Sequence, residues 1–475
     1  MIEKPDSRTE ADAKFQQAFA LHEQGRLGEA RSLYEQALQL QPEHFDAWHL
    51  MGVLAAQAGD PQRAVESIAK AIAIDPKNPA AHNNQGNALR ELGRHAEAVR
   101  SYEQAISLEP RSALLYFNRG NSLTDCKRYA EAVASYDQAI ALEPGAPEIH
   151  YSRGIVLLHL GQYEAAVQSH DLAIALDPDF AEAYGHRGHA LAALKRYEAA
   201  VQSYDRAIAL KPDDAGACNK RGILLAALRR HQEAIRSYDQ AIALDPGHAD
   251  AHHNRGVSLY ELGRCEEAIQ SCDQAILLKP DYSAAHGTRG NALAALGRHD
   301  AALRSYDRAI ALAPGDANAY DNRGISLARL KRYEEAIQSY DRAIALKPDY
   351  ANAYNNRGVA LVELKRYDEA VQSYDRAVAL QPDLAEARRN RGHALFALMR
   401  YEAAIRSFDQ ALALKPADAD AYNVRGIAFG ELKLHDEAIR SFDRALALQP
   451  DYAEAYGNRA SSLAELKQFE AAIQS

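Results

Sequence analysis

Residues 351–384, ANAYNNRGVALVELKRYDEAVQSYDRAVALQPDL, hold the pattern of almost the whole chain in one copy. Prolines recur at Pro42, Pro76, Pro110, Pro144 and onward to Pro416 and Pro450, every 34 residues without a gap. An unbroken period of this length marks an array in which each unit stacks only on its neighbours. With proline counted as place 32, thirteen full units run from residue 11 to 452, and a fourteenth opens at Ala453 and reaches place 23 at Ser475.

Within the quoted unit, Tyr354, Gly358 and Leu361 are spaced by four and three, which puts them on one stripe of a helix. Ala370, Tyr374 and Ala377 make the same stripe on a second helix. Small residues let the two axes approach, and the tyrosine fills the space between them. Leu364-Lys365-Arg366 is a short turn, and Pro382 closes the unit because proline cannot continue the second helix. A lone hairpin cannot cover its own apolar stripe, so the next hairpin must do so.

At 475 residues, two or three globular domains would otherwise be expected, and the repeat overrides that expectation. The 47% hydrophobic content is carried by small alanines, and no segment approaches the roughly 18 uninterrupted apolar residues of a membrane span. The start, MIEKPDSRTE, is polar and has no signal-peptide core, so residues 1–10 are read as a disordered tail and a cytoplasmic location is the default. A net charge of −10 with Lys and Arg spread evenly leaves no basic stripe for nucleic acid. Cys265 and Cys272 take places that other units fill with Tyr, His or Phe, and read as core filling; Cys126 and Cys218 are singletons on helix faces. No C-x-x-C spacing, phosphate-cradling glycine loop, H-E-x-x-H or nucleophile elbow is present, so neither metal, cofactor nor catalysis is expected.

Place 8 is almost always glycine, as at Gly52, Gly86, Gly358 and Gly426; place 20 is alanine from Ala30 to Ala472, and place 27 from Ala37 to Ala445. Place 24 is usually Tyr or Phe, as at Tyr136, Tyr340, Phe408 and Phe442. This order of small, alanine, aromatic, alanine and proline resembles the tetratricopeptide repeat over residues 11–475. The resemblance implies an all-α fold, a right-handed superhelical α-solenoid of antiparallel helix pairs that binds other proteins. The fourteenth unit, 453–475, reads as truncated, so that Leu463 and Leu466 would be left as an uncovered, self-associating end if nothing followed.

Place 7 departs from the family pattern, which expects leucine there: it is Arg in eleven consecutive units, from Arg119 through Arg357 to Arg459. Place 25 is Asp in the matching complete units, from Asp137 through Asp375 to Asp443. The first three units lose both together, with Gln17 and Glu35, Met51 and Ala69, and Gln85 and Glu103. This covariation predicts a ladder of ion pairs within units, Arg119 with Asp137 and Arg357 with Asp375, since an unpaired buried charge costs several kcal/mol.

In the family the chain resembles, the concave wall is lined by first helices, chiefly at places 2, 5, 6, 9, 12 and 13. Place 6 is asparagine at Asn84, Asn118, Asn254, Asn322, Asn356, Asn390 and Asn458, interrupted by Ser152, His186, Lys220, Thr288 and Val424. One asparagine can bond both the N–H and the C=O of a passing backbone, so these residues are candidates for holding an extended peptide. The row resembles the asparagine ladder of O-linked N-acetylglucosamine transferases, which implies an alternative role as the substrate-recruiting arm of a glycosyltransferase whose catalytic domain lies outside this sequence. Chaperone-adaptor relatives grip a C-terminal carboxylate with Lys at places 5 and 2. Here those places carry residues such as His253, Asp321, Asn355, Arg389, Glu182 and Glu386, which argues against that clamp. Acids at place 13 (Glu91, Asp125, Glu261, Glu363, Glu431, Glu465) favour neutral or basic partner segments. The acids at place 2 also follow an aspartate by three residues, as in Asp383 to Glu386, a variant of the helix capping box.

Overall fold

The contact between places 8 and 24 sets the geometry of each hairpin. The structure is a computed structural model that describes residues 7–474, and those residues form 28 helices and no strand. In repeat 11 the first helix, Ala351–Glu363, packs on the second, Tyr367–Leu380. The Tyr374 ring is 1% exposed and lies flush on Gly358, where a β-carbon would come 2.5 Å from the ring edge. Tyr102 on Gly86, Tyr306 on Gly290 and Phe442 on Gly426 repeat this contact, and His170, Cys272 and Ile68 replace the ring against Gly154, Gly256 and Gly52.

The turn between the helices closes by a fixed pair of bonds. The Arg366 N–H donates to the Leu361 carbonyl at 2.9 Å and the Lys365 N–H to that of Val362 at 2.8 Å, which places Lys365 in the left-handed region at φ 57°. Glycine holds this place at Gly93 and Gly161, whereas Lys127, Lys331, Lys365 and Met399 hold it at the cost of a β-carbon that crowds the backbone. The next residue opens the second helix: the Arg366 guanidinium donates to the Glu369 carboxylate at 2.7 Å, and this bond holds that carboxyl below its ordinary range.

Two compact bodies, Met1–Leu244 and Asp245–Ser475, make up the chain. Within each, the first helix of a repeat lies between its own second helix and that of the preceding repeat. Place 3 and place 10 alanines, such as Ala353 and Ala360, are buried on the side that meets the preceding repeat. In the second body the core runs on through Leu327, Tyr340, Leu361, Tyr374, Leu395 and Phe408 without a break. In the first it includes Tyr34 with Met51, and Val99 with Leu123, Tyr136 and Ile149. Each body is therefore an all-α solenoid, stabilised by neighbours covering one another's stripes.

Three expectations change. Residues 7–10 are not a disordered tail: the first helix is Ser7–Glu23, with Glu10 in its first turn complementing the helix dipole, while residues 1–6 lie outside the described residues. Leu463 is not left uncovered, being 4% exposed beside the short helix Phe469–Gln474, and Leu466 is half-buried. The capping box at Asp383 does not form, because the helix starts one residue later than that pattern requires: its cap is Leu384, with no side-chain bond. Side chains cap first helices where place 34 itself is suitable, as Asp214 does by accepting from the Ala217 N–H at 2.9 Å. Cys218, Cys265 and Cys272 are buried as core, while Cys126 is half-buried at the end of its helix. Cys272 is fully buried, and burial pushes its thiol up to about 12. No helix among the described residues is long and apolar enough to cross a membrane.

Candidate functional site: the wall of first helices

Over most of each body successive first helices touch, as those of repeats 4 and 5 and of repeats 11 and 12 do, whereas successive second helices make no comparable contact. First helices thus line the inner side of each stack. A seam of side-chain hydrogen bonds runs between them. The Asn118 amide donates to the Asn83 carbonyl oxygen at 3.0 Å, Asn356 to the Asp321 carboxylate at 3.2 Å, Asn390 to Asn355 at 3.1 Å and Asn458 to Asn423 at 3.1 Å. Each links place 6 of one repeat to place 5 of the repeat before it. Asn84 does the same with His49 at 2.9 Å, and Asn322 reaches Asn291 at place 9 instead, at 3.0 Å. Asn254 is half-buried in the helix Ala249–Glu261. Six of the seven asparagines read from the sequence as a free ladder thus have an N–H engaged with the neighbouring repeat, and amides such as Asn118, Asn356 and Asn458 keep Oδ1 and the second N–H for a partner.

Sequence reasoning put place 5, with Asp321 and Asn355, on this wall but did not see these residues as the partners of the asparagines. Asp321, Asn355 and Asn423 are 4%, 5% and 1% exposed. A signal for them existed: polar place 5 residues occur 35 positions before the place 6 asparagines that bond them. Place 34 completes the arrangement. The Tyr350 hydroxyl donates to Asp321 at 3.3 Å, that of Tyr282 meets His253 Nδ1 at 3.2 Å, and that of Tyr452 accepts from Asn423 at 3.3 Å.

Burial raises the Asp321 carboxyl above its ordinary range, against the opposing pull of its bonds from Asn356 and Tyr350. A carboxyl raised by folding binds its proton more readily in the folded state, so its contribution to stability falls as pH rises from the unfolded value through the folded one. Asp321→Asn should therefore be more stable than the parent at neutral pH, with the difference closing as pH approaches 4, near the ordinary aspartate value. Denaturant melts across that window test this; a variant less stable at neutral pH would contradict it. Both partners keep a bond in the variant, since Asn423 already makes the equivalent pair with Asn458 and Tyr452.

The ion-pair ladder exists, but between repeats rather than within them. Arg357 meets Asp341 at 2.6 Å, not Asp375, and Asp375 is met by Arg391. Asp137 is met by Arg153 at 2.7 Å, and Arg119 faces Glu103 of the preceding repeat at 3.7 Å. Place 7 lies about 100° around the helix from place 8, so when glycine faces the repeat's own second helix the arginine faces the preceding one. Its other arm turns back: Arg357 Nη1 donates to the buried Ser373 hydroxyl at 2.7 Å in its own repeat. One side chain therefore ties three helices together. Since the aspartates are about half exposed, each pair adds at most about 1 kcal/mol and chiefly sets register. Place 4 adds a further tie: His82 and His150 reach the carbonyls of Pro76 and Pro144 at 2.9 and 3.0 Å.

The acidic cast of the wall is partly cancelled. Asp125 is paired with Arg90 at 3.2 Å, whereas Glu363 keeps its charge and accepts from the Tyr333 hydroxyl at 3.1 Å. Glu182, Glu386 and Glu454 stand in the first turns of their helices, where they complement the dipole. Near this seam, Ile325 and Val359 at place 9 remain 36% and 40% exposed.

A stack of hairpins whose first helices line one side of each body is the architecture of a protein-interaction scaffold. Sequence models described as the tetratricopeptide repeat match residues 83–147, 127–179, 219–286, 288–351 and 322–385, with further models at 21–87, 188–229, 357–428 and 419–452. The chain belongs to the tetratricopeptide repeat family. The last match begins and ends where the proline frame puts repeat 13. Among solved structures it is similar to that of the APC/C hetero-tetramer Cut9-Hcn1 (16% identity, 95% of this chain and 96% of that one, TM-score 0.42). It is also similar to YrrB, described as a TPR protein with an unusual peptide-binding site (24% identity, 39% and 96%, TM-score 0.36), and to pilF of Pseudomonas aeruginosa (20% identity, 45% and 97%, TM-score 0.41). A comparison with curated protein sequences finds no match.

Proposed function

We propose that the first-helix wall holds extended, neutral to basic segments of partner proteins. The observation that carries this reading is the seam: it sets successive first helices side by side before any partner arrives, and leaves Asn Oδ1 groups and the exposed Ile325 and Val359 at a regular repeat spacing. Preorganisation lowers the ordering cost of binding. Glu91 and Glu465, exposed at place 13, supply the charge preference.

The test uses unstructured peptides selected from a random display library on the whole chain. Val359→Arg and Ile325→Arg change exposed side chains, so the fold should be affected by less than about 0.5 kcal/mol. Binding of selected peptides should weaken about tenfold or more, since lost apolar contact combines with repulsion of basic residues. If no peptide is enriched, or the arginine variants bind as the parent does, the wall is not the binding surface.

A further inference from the structure

The seam is interrupted in the first body between repeats 6 and 7. Rings at place 34 occupy the space beside place 5 in other repeats: Phe180 packs on Tyr151 with ring centres 4.7 Å apart, and Tyr282 on His253 at 4.8 Å. A lysine at place 31 then stands over the tyrosine ring, Lys279 over Tyr282 at 4.9 Å and Lys347 over Tyr350 at 4.8 Å. In repeat 6 both halves of that contact are small. Place 34 is Asp214 and place 5 is Gly185, beside which a β-carbon would meet nothing within 4 Å.

A cavity of about 180 Å³ results, lined by Gly185, His186, His189, Lys211, Asp214 and Lys220. Repeat 9 has the same small pair, Gly287 and Asp316, but there Asn322 reaches back to Asn291 and the two first helices stay in close contact. His186 and Lys220 stand at place 6 of repeats 6 and 7, and the first helices of these repeats do not approach as closely as those of repeats 5 and 6. Lys211 keeps the place 31 position that elsewhere covers a ring, with only the exposed Glu182 carboxylate beside it at 3.7 Å. Burial, with the charge of Lys220, holds His186 and His189 below the ordinary imidazole range, so both rings are neutral near pH 7 and each offers a donor and an acceptor.

We propose that this cavity receives a tyrosine side chain from a partner segment, which takes the place that Tyr282, Tyr350 and Tyr452 occupy in their own repeats. The inference rests on the first-helix wall being the binding surface. Lys211 covers the incoming ring as Lys279 and Lys347 cover theirs. The imidazoles bond the phenolic hydroxyl as His253 bonds that of Tyr282. An aliphatic side chain would leave the polar lining unpartnered, and phenylalanine would lack the hydroxyl.

The probe is N-acetyl-tyrosinamide, titrated into the whole chain while the ring signals of His186 and His189 are followed by NMR. A saturable shift is expected, weaker with N-acetyl-phenylalaninamide and absent with N-acetyl-leucinamide. Asp214→Tyr, which supplies the missing ring from within, should abolish the response; Gly185→His, which keeps the Asp214 cap, should do so independently. No saturable shift, equal shifts with the leucine or phenylalanine probe, or an unchanged response in both variants would overturn the proposal. If display peptides bind and respond to Val359→Arg while the tyrosine probe leaves the rings unmoved, the wall stands and the pocket falls. If the probe binds while no peptide is enriched, the cavity takes a phenol ring but the wall falls, and with it the proposal that the ring comes from a partner segment.

Discussion

Tyr374→Ala should destabilise the second body by about 3–5 kcal/mol, the range for removing a large buried aromatic side chain. The ring is 1% exposed, sits in the core that links repeats 9 to 13, and has its hydroxyl pushed far above the ordinary phenol range by burial. Its floor is Gly358, which has no side chain to fill the hole left behind. Because a solenoid is stabilised by its repeats and by nearest-neighbour interfaces, the loss should be local. Hydrogen exchange should show repeats 10 to 12 opening first, with protection in the first body unchanged. A loss below about 1 kcal/mol, or one spread evenly over the chain, would mean that the ring is not the element that joins the helices.

Gly358→Ala is the converse experiment, and should cost about 1–3 kcal/mol through overpacking. The added carbon would lie 2.5 Å from one ring atom of Tyr374 and 2.7 Å from another, and the ring is enclosed on its other sides by the core. Repeat 1 shows how the strain can be relieved. Ala18 takes the glycine place there, fully buried with Tyr34, so that hairpin accommodates the extra carbon. The two substitutions should be strongly coupled. In the Tyr374→Ala background the alanine at 358 enters the vacated space, and its own cost should fall to about zero or reverse sign. Additive losses in the double variant would show that the two side chains do not share a contact.

Most of the architecture was legible because it depends on contacts close in sequence. Places 8 and 24 meet inside a single hairpin, and the small residue facing a large one is visible in each copy. The wall was half legible. Its asparagines were identified, but their engagement with Asn83, Asp321, Asn355 and Asn423 was not, since those partners belong to a neighbouring repeat and look like ordinary helix-surface residues. Ser373 was missed for a different reason: a serine on a helix has many unremarkable roles, and only the arginine lying across it gives it one here.

By itself the sequence determined the 34-residue period, the two stripes of each hairpin and the existence of an Arg–Asp ladder. Only the tertiary structure decided the direction of that ladder, Arg357 to Asp341 behind it rather than to Asp375 ahead. In an array of near-identical units the same residue types recur on both sides, so covariation supports either offset almost equally. The choice is made by the rotation of the first helix, which turns place 8 toward its own partner helix and place 7 toward the one before.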